Sequence, residues 1–162
     1  IGLIFAMLYK AAGAHVTVSE PMEYRRNLAL KLGCDVTVNP KERDLETELR
    51  AYAPEGADIV VDAVGVMLPV AVQIARKGGQ IVVFGVNQTA QVTIPQYPIT
   101  EKELTIRGTY ITKGTFPLAI RIIENKLIPI DELITHRLPL EQLLDGIDLM
   151  VKGTAGKIVI EI

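Results

Sequence analysis

The chain has 162 residues, of which 49% are hydrophobic and 22% are charged, and its formal net charge is −2. This composition is typical of a globular α/β protein with one core of moderate size. The small net charge and the absence of a basic arm in the sequence argue against DNA, RNA or an anionic membrane as a partner. The single cysteine, Cys34, excludes an internal disulfide and a cysteine-based metal cluster within these residues.

Nothing in the sequence suggests a membrane segment. No apolar run approaches the roughly 20 residues that a helix needs to cross a bilayer. The apolar opening, residues 1–8, has neither the basic leader nor the cleavage site of a signal peptide. Together with the lone cysteine, these features predict a soluble protein of the reducing cytoplasm.

Apolar periodicity and glycine or proline breaks predict alternating helices and strands. In chain order they are helix 3–12, strand 15–19, helix 21–32, strand 36–38, helix 45–52, strand 58–63, helix 68–76, strand 80–86, strand 104–111, helix 116–125, strand 133–138, helix 140–152 and strand 157–160. Gly78 and Gly79 are predicted to end the helix before them. Helices placed between β-branched strands indicate βαβ crossovers and a parallel sheet covered on both faces. The pattern changes after Ile111, which predicts a domain boundary near Thr112.

The chain opens directly with a helix, whereas a parallel α/β domain usually opens with a strand and a glycine-rich turn. If Gly2 is the last glycine of a G-x-G-x-x-G turn, its missing Cβ allows the helix to pack closely on a strand. The N–H groups at the helix start would then face a pyrophosphate. By itself a single glycine does not establish such a turn.

Glu20 closes the strand predicted at 15–19 and lies 18 positions after Gly2. A carboxylate in that position of a dinucleotide-binding fold accepts hydrogen bonds from both ribose hydroxyls and repels a 2′-phosphate, which selects NAD over NADP. The alternative is an acid at a helix start that the helix dipole stabilises. Arg25 and Arg26 follow one turn later, either around the adenosine or on a solvated helix face.

Two neighbouring predicted strands end in glycine, in the runs Ala63-Val64-Gly65 and Phe84-Gly85-Val86. Ligands of parallel sheets bind beyond the carboxyl ends of the strands, where glycine permits close approach of the backbone. Strand termination explains each glycine separately. Their occurrence on successive strands favours a binding crevice.

No catalytic or metal-ligating constellation is found in the sequence. His15 and His136 lie in strand-like segments without partners at a useful spacing, and Cys34 is expected to be a small core residue. Asp62 lies within a predicted buried strand, and one carboxylate makes no acid–base pair. Ser-His-Asp, H-E-x-x-H and Tyr-x-x-x-Lys patterns are absent from the sequence, and the last absence argues against a short-chain dehydrogenase.

Three stretches are more specific than any glycine motif: EKELTIRGTY at 101–110, LITHRLPLE at 133–141 and GTAGKIVI at 153–160. They resemble the C-terminal part of the zinc-dependent medium-chain alcohol dehydrogenases, with the sorbitol-type polyol and threonine dehydrogenases as the nearest branch. The resemblance spans essentially the whole chain. It implies a Rossmann-type doubly wound parallel sheet without its first strand, with a dinucleotide-binding domain at 1–111. Residues 112–162 are then a segment that returns to the catalytic domain.

The resemblance also implies a set of NAD-binding residues, which are Ile1, Gly2, Glu20, Arg25, Val64, Gly65, Phe84, Gly85, Val86, Thr109, Tyr110 and Ile111. The first two match the tail of the family's glycine-rich turn, and Glu20 and Arg25 match its ribose and adenosine contacts. Residues 84–86 and 109–111 match two backbone contacts to the nicotinamide. Lys157, in the closing strand, is placed near the cofactor.

By the same resemblance, the complete enzyme transfers hydride between NAD and a secondary alcohol of the polyol, sugar or amino-alcohol type. Zinc would act as Lewis acid, with ligands upstream of Ile1, so we expect this chain alone to be inactive. A small-molecule alcohol is the expected substrate, and a homodimer or homotetramer joined near 104–111 is the expected assembly.

Two features depart from the family pattern. The first strand of a 3-2-1-4-5-6 sheet is absent from this sequence, so we expect an interruption in the middle of the sheet. Ile111 stands where sorbitol-type enzymes carry a polar, substrate-side residue, which counts against a polyol substrate.

Two other functions remain open at this stage. An S-adenosylmethionine-dependent methyltransferase also places an acid after its second strand, although it needs neither Gly85 nor the segment after Ile111. A non-catalytic dinucleotide-binding module, such as a redox sensor, is the second alternative.

Overall fold

The computed structural model describes residues 1–111 and 114–162. Its contacts divide the chain into two compact units, which we call unit 1 (Ile1–Arg43 with Gly114–Ile162) and unit 2 (Asp44–Lys113). The predicted boundary near Thr112 lies outside the described residues, so the division at 111/112 stays a prediction.

The described part of the chain forms eight helices and seven strands. In chain order these are α1 (Gly2–Ala11), β1 (Thr17–Ser19), α2 (Glu23–Lys31), β2 (Val36–Val38), α3 (Leu45–Arg50), β3 (Ala57–Asp62), α4 (Leu68–Ile74), β4 (Ala75–Val83), α5 (Tyr97–Glu101), β5 (Thr105–Gly108), α6 (Phe116–Glu124), α7 (Ile130–Leu133), β6 (Ile134–Pro139), α8 (Leu143–Lys152) and β7 (Lys157–Glu161).

Unit 1 contains two parallel strand pairs. Strand β1 pairs with β2, with Thr17 opposite Val36, and β6 pairs with β7. The two strands of the first pair are joined by α2, as expected of a crossover connection. The core of this unit is apolar and is drawn from both of its chain segments, since the buried residues in contact are Met7, Leu28, Leu32, Ile128 and Leu133.

Helix α8 ends against the turn that follows β1. Gly153, just after the last residue of the helix, has φ +71°, a left-handed conformation that glycine adopts without strain. A Cβ at Gly153 would lie 2.8 Å from the Cε of Met22. Arg25 of α2 donates a hydrogen bond to the carbonyl of Met150 at 3.4 Å. The end of α8 and the start of α2 therefore pack together.

Unit 2 is a three-stranded parallel sheet in the order β3-β4-β5. The register places Asp62 opposite Val83, and Val83 opposite Gly108, so the carboxyl ends of all three strands lie at one edge of the sheet. Helix α4 covers the sheet through the buried residues Ala71 and Val72, which pack with Ala75 and Ile81 of β4.

The predicted α/β class and the parallel pairing are confirmed, and β2 has its predicted bounds. Within the described residues β1 pairs only with β2, and β3 pairs only with β4. The short helices α5 and α7 were not predicted. The segment predicted as helix 140–152 begins with a 3₁₀ turn at Leu140–Gln142, and α8 follows it.

Two details of the prediction for unit 2 are wrong. Helix α4 already ends at Ile74, and Gly78 and Gly79 lie inside strand β4. The pairing between β3 and β4 is irregular before Ile59. A Cβ at Gly79 would lie 2.8 Å from the carbonyl oxygen of Arg76, so glycine at this position permits the backbone conformation of the irregular segment. Strand β3 is not covered on both faces either, since Ile59 is 41% exposed.

Candidate functional site

In unit 1, Glu20 lies in the turn between β1 and α2. Its N–H donates to the carbonyl of Val38 at 3.0 Å, which extends the pairing of the two strands by one residue. Its Oε1 accepts a hydrogen bond of 2.9 Å from the N–H of Met22, the residue that precedes α2. The carboxylate thus stabilises the helix start, as one interpretation of the sequence expects. Among the described residues, Oε2 makes no further hydrogen bond, so one oxygen is available to a ligand.

Arg26 holds the turn that carries Glu20. Its Nη1 donates to the carbonyl oxygens of Glu20, at 3.0 Å, and of Pro21, at 2.8 Å. From the sequence, Arg26 is expected either to contact an adenosine or to lie on a solvated helix face. In the structure, its two hydrogen bonds stabilise the backbone of the turn that contains Glu20.

The N-terminal end of α1 is accessible in unit 1. Ile1 and Gly2 are exposed there, and the first turn of the helix has no acidic residue. The free N–H groups of this first turn favour an anion.

In unit 2, the carboxyl ends of β3 and β4 are held by Asp62, which is only 2% exposed. Its Oδ1 accepts hydrogen bonds from the N–H groups of Val64, at 2.9 Å, and Gly65, at 2.7 Å. Its Oδ2 accepts one from the N–H of Met67 at 2.8 Å. The sequence did not identify this role, although Asp followed by a glycine turn is a known turn signal.

The backbone carbonyl of Asp62 joins the same arrangement to the next strand. It accepts hydrogen bonds from the N–H groups of Phe84, at 3.0 Å, and Gly85, at 2.8 Å. Asp62 thus connects, with its side chain and its main chain, the turns that follow β3 and β4. We call residues 62–67 together with 84–86 the strand-end platform.

Gly65 and Gly85 touch each other within this platform. Gly65 has φ +93°, and a Cβ on it would lie 2.7 Å from the carbonyl oxygen of Gly85. A Cβ on Gly85 would overlap the backbone of Val64 and the nitrogen of Gly65. The close approach of the two turns therefore requires glycine at both positions. Strand termination alone does not explain these glycines.

The edge formed by the three strand ends is apolar and open. Strand β5 continues past its last residue with Thr109, whose N–H donates to the carbonyl of Val83 at 3.1 Å. The exposed apolar side chains of this edge are between 61% and 78% exposed, and they are Val64, Val86, Tyr110 and Ile111. Eight of the predicted cofactor-binding residues, 64–65, 84–86 and 109–111, thus lie at one edge of one sheet.

Cys34 and His136, to which the sequence assigns no catalytic role, both have neighbours within unit 1. Burial, followed by the charge of Asp35, raises the pKa of the Cys34 thiol, which lies in the core of unit 1. The Nδ1 of His136 is 2.9 Å from the hydroxyl of Thr135. No group of three metal-ligating side chains occurs in residues 1–111 and 114–162. In those same ranges, no helix has the length and apolar character needed to cross a bilayer.

The family model described as zinc-binding dehydrogenase matches residues 1–125. The chain belongs to the zinc-binding dehydrogenase family. This confirms the resemblance on which the predicted Rossmann-type fold was based, and it gives no support to the methyltransferase alternative.

Two curated relatives and one solved structure illustrate the similarity of this zinc-binding dehydrogenase chain. Sorbitol dehydrogenase of Gallus gallus is 29% identical over 167 aligned residues, 99% of this chain and 47% of that protein. L-Threonine 3-dehydrogenase of Bacillus velezensis is 32% identical over 174, 99% of this chain and 48% of that protein. A crystal structure described as the alcohol dehydrogenase rspB of Escherichia coli CFT073, in complex with NADH, superposes with a TM-score of 0.90 at 26% identity, covering 100% of this chain and 49% of that chain.

The chain spans about half the length of the curated relatives it matches. The comparisons therefore concern a part of those relatives, and the described residues of this chain contain no group of three metal-ligating side chains. The twelve predicted cofactor-binding residues remain a prediction that the geometry above makes specific.

Proposed function

We propose that this chain binds a nicotinamide dinucleotide, with NAD preferred to NADP, as part of an enzyme that oxidises a secondary alcohol. The observation that carries this proposal is the strand-end platform of unit 2, whose backbone is fixed by a buried carboxylate and whose open edge is apolar. Cofactors of parallel α/β sheets bind at such edges, and the family to which the chain belongs is one of dehydrogenases.

In unit 2 by itself, we propose the strand-end platform and residues 109–111 as the groups that would suit a nicotinamide. The exposed side chains of Val64, Val86 and Tyr110 offer apolar surface to a planar ring. The backbone groups of residues 84–86 and 109–111 supply the donors and acceptors that a carboxamide needs, and they lie on strand ends rather than on long loops. Such backbone contacts orient the ring without adding a titratable group beside it.

In unit 1 by itself, we propose Glu20 and the start of α1 as groups that would suit an adenosine diphosphate. The free oxygen of Glu20 would accept hydrogen bonds from a ribose diol, and its negative charge would repel a 2′-phosphate. The start of α1, whose first turn has no acidic residue, would face the negatively charged phosphates. Arg26 contributes indirectly, by fixing the turn of Glu20.

These contacts define what the cofactor and the residues of this chain would each contribute to the reaction. When bound, a nicotinamide dinucleotide would supply the redox chemistry of the reaction. The residues of this chain bind and orient the cofactor, and the close packing of Gly65 on Gly85 keeps the platform rigid while they do so. We derive no acid–base step within this chain.

We further propose a small alcohol as substrate, a cytoplasmic location and a homodimer or homotetramer formed at the edge strand β5. The relatives act on sorbitol and on threonine, and Ile111, apolar and exposed, favours a substrate less polar than a polyol at that position. Sedimentation velocity of the complete protein tests the assembly.

Isothermal titration calorimetry on the complete protein that contains these residues tests the proposed function. We expect NAD to bind and to produce saturable heat, S-adenosylmethionine to produce none, and NADP to bind more weakly than NAD. Binding of S-adenosylmethionine with no binding of NAD would overturn the proposal. Binding of NAD without turnover of any secondary alcohol would favour the non-catalytic module instead.

A further inference from the structure

We propose that Asp62 is a positioning residue for the nicotinamide, acting through the backbone of the strand-end platform without touching the cofactor. The inference rests on the proposed binding of a nicotinamide dinucleotide. It assigns a function to a residue to which the sequence gave no acid–base role.

The first argument is the number and direction of the hydrogen bonds. The two carboxylate oxygens of Asp62 accept three backbone N–H groups, from Val64, Gly65 and Met67, at 2.7 to 2.9 Å. Bonds to a charged acceptor are stronger than neutral ones. Because the residue is almost completely buried, water cannot replace these bonds. The turn after β3 is therefore fixed before any ligand arrives.

The second argument is that one residue controls two turns. The carbonyl of Asp62 holds the N–H groups of Phe84 and Gly85, while its carboxylate holds those of Val64 and Gly65. A rotation at Asp62 would move both turns together. Because Gly65 and Gly85 are in backbone contact, neither turn can shift alone.

The third argument separates positioning from stability alone. The side chain of Val64 is exposed although its backbone is fixed by the buried carboxylate. Tight fixation of an exposed turn at the carboxyl edge of a parallel sheet is expected where a ligand is oriented. A residue that served only the core would not need to fix groups that point outward.

The inference predicts a loss that depends on the half of the cofactor that is probed. In Asp62→Asn the side chain keeps its size, but an amide NH₂ replaces one acceptor and opposes a backbone N–H. We expect the platform to loosen, so that the dissociation constant of NADH rises about tenfold or more. The dissociation constant of ADP, which lacks the nicotinamide, should stay within about twofold of the wild type.

The experiment uses the complete protein and titrates NADH and ADP separately, with the fluorescence of bound NADH as a direct report on the nicotinamide environment. The matched control is Asp58→Asn, because Asp58 lies on the same strand, is exposed and pairs with Arg76 at 2.6 Å. This control should change neither dissociation constant by more than about twofold, and the emission of bound NADH should match that of the wild type.

The outcomes separate the possible failures. Weaker NADH binding with unchanged ADP binding supports the inference. Unchanged NADH binding, or parallel weakening of NADH and ADP in a folded variant, overturns it. If the wild-type protein binds neither ligand, the proposed function has failed instead of the role of Asp62.

A second measurement needs no variant, in case Asp62→Asn does not fold. Hydrogen exchange in the unliganded wild-type protein reports on the amides of Val64, Gly65 and Met67. The inference requires them to exchange slowly without cofactor. Exchange at the rate of an open loop would overturn it.

Discussion

Replacing Gly85 by alanine tests the contact between the two turns of the strand-end platform. An added Cβ would overlap the backbone of Val64 and the nitrogen of Gly65. These are backbone atoms held by Asp62, so they cannot move aside as a flexible side chain would. Overpacking costs typically about 1 to 3 kcal/mol, and the rigid surroundings place this substitution at the upper end. We expect Gly85→Ala to reduce the free energy of unfolding by about 3 kcal/mol.

The control is Gly108→Ala at the end of β5, because a Cβ on Gly108 meets nothing within 4 Å. That variant should be neutral or stabilised by up to about 1 kcal/mol, since alanine reduces the freedom of the unfolded chain. Urea denaturation of the complete protein, followed by far-UV circular dichroism, measures both. Equal stability of the two variants would refute the close contact between the turns.

Two further predictions concern groups outside the platform. Lys102 donates hydrogen bonds of 2.7 to 3.1 Å to the carbonyls of Val72, Gln73 and Ala75 at the end of α4. Lys102→Met should therefore lower the free energy of unfolding by about 2 kcal/mol. A melting temperature equal to that of the wild type would contradict this. Hydrogen bonds from Lys10 and a backbone amide lower the pKa of Asp35, so its stabilisation is present above the unfolded pKa of about 3.9 and is lost as the pH falls through the lower folded value. The stability difference between wild type and Asp35→Asn, measured by urea denaturation, should therefore shrink on acidification, and a constant difference would contradict the assignment.

The sequence was sufficient for most of the strands because their signal is local, although the first residues of β4 were predicted as the end of a helix. Strand β2 consists of alternating β-branched residues, Val36-Thr37-Val38, and it was predicted with its observed bounds. The helices α5 and α7 have five and four residues. Such segments are too short for apolar periodicity to distinguish them from loops.

The site was predictable only in part, for a physical reason. Glycines at two strand ends suggested a crevice, but the contact between Gly65 and Gly85 depends on the register of β3 and β4, which no local pattern encodes. The role of Asp62 was missed for a related reason. Its partners are backbone amides, so no complementary side chain in the sequence points to it. The same holds for Arg26, whose partners are the carbonyls of Glu20 and Pro21.

The central claim is that a carboxylate at position 20 recognises the adenosine ribose of NAD. Titration of the complete protein with NAD and with NADP, in the wild type and in Glu20→Gln, measures this most directly. We expect the wild type to prefer NAD. Removing the charge should weaken NAD binding by about 1.5 to 3 kcal/mol, the range for a hydrogen bond to a charged group, and it should reduce the preference for NAD over NADP. An unchanged ratio of the two dissociation constants would contradict the account.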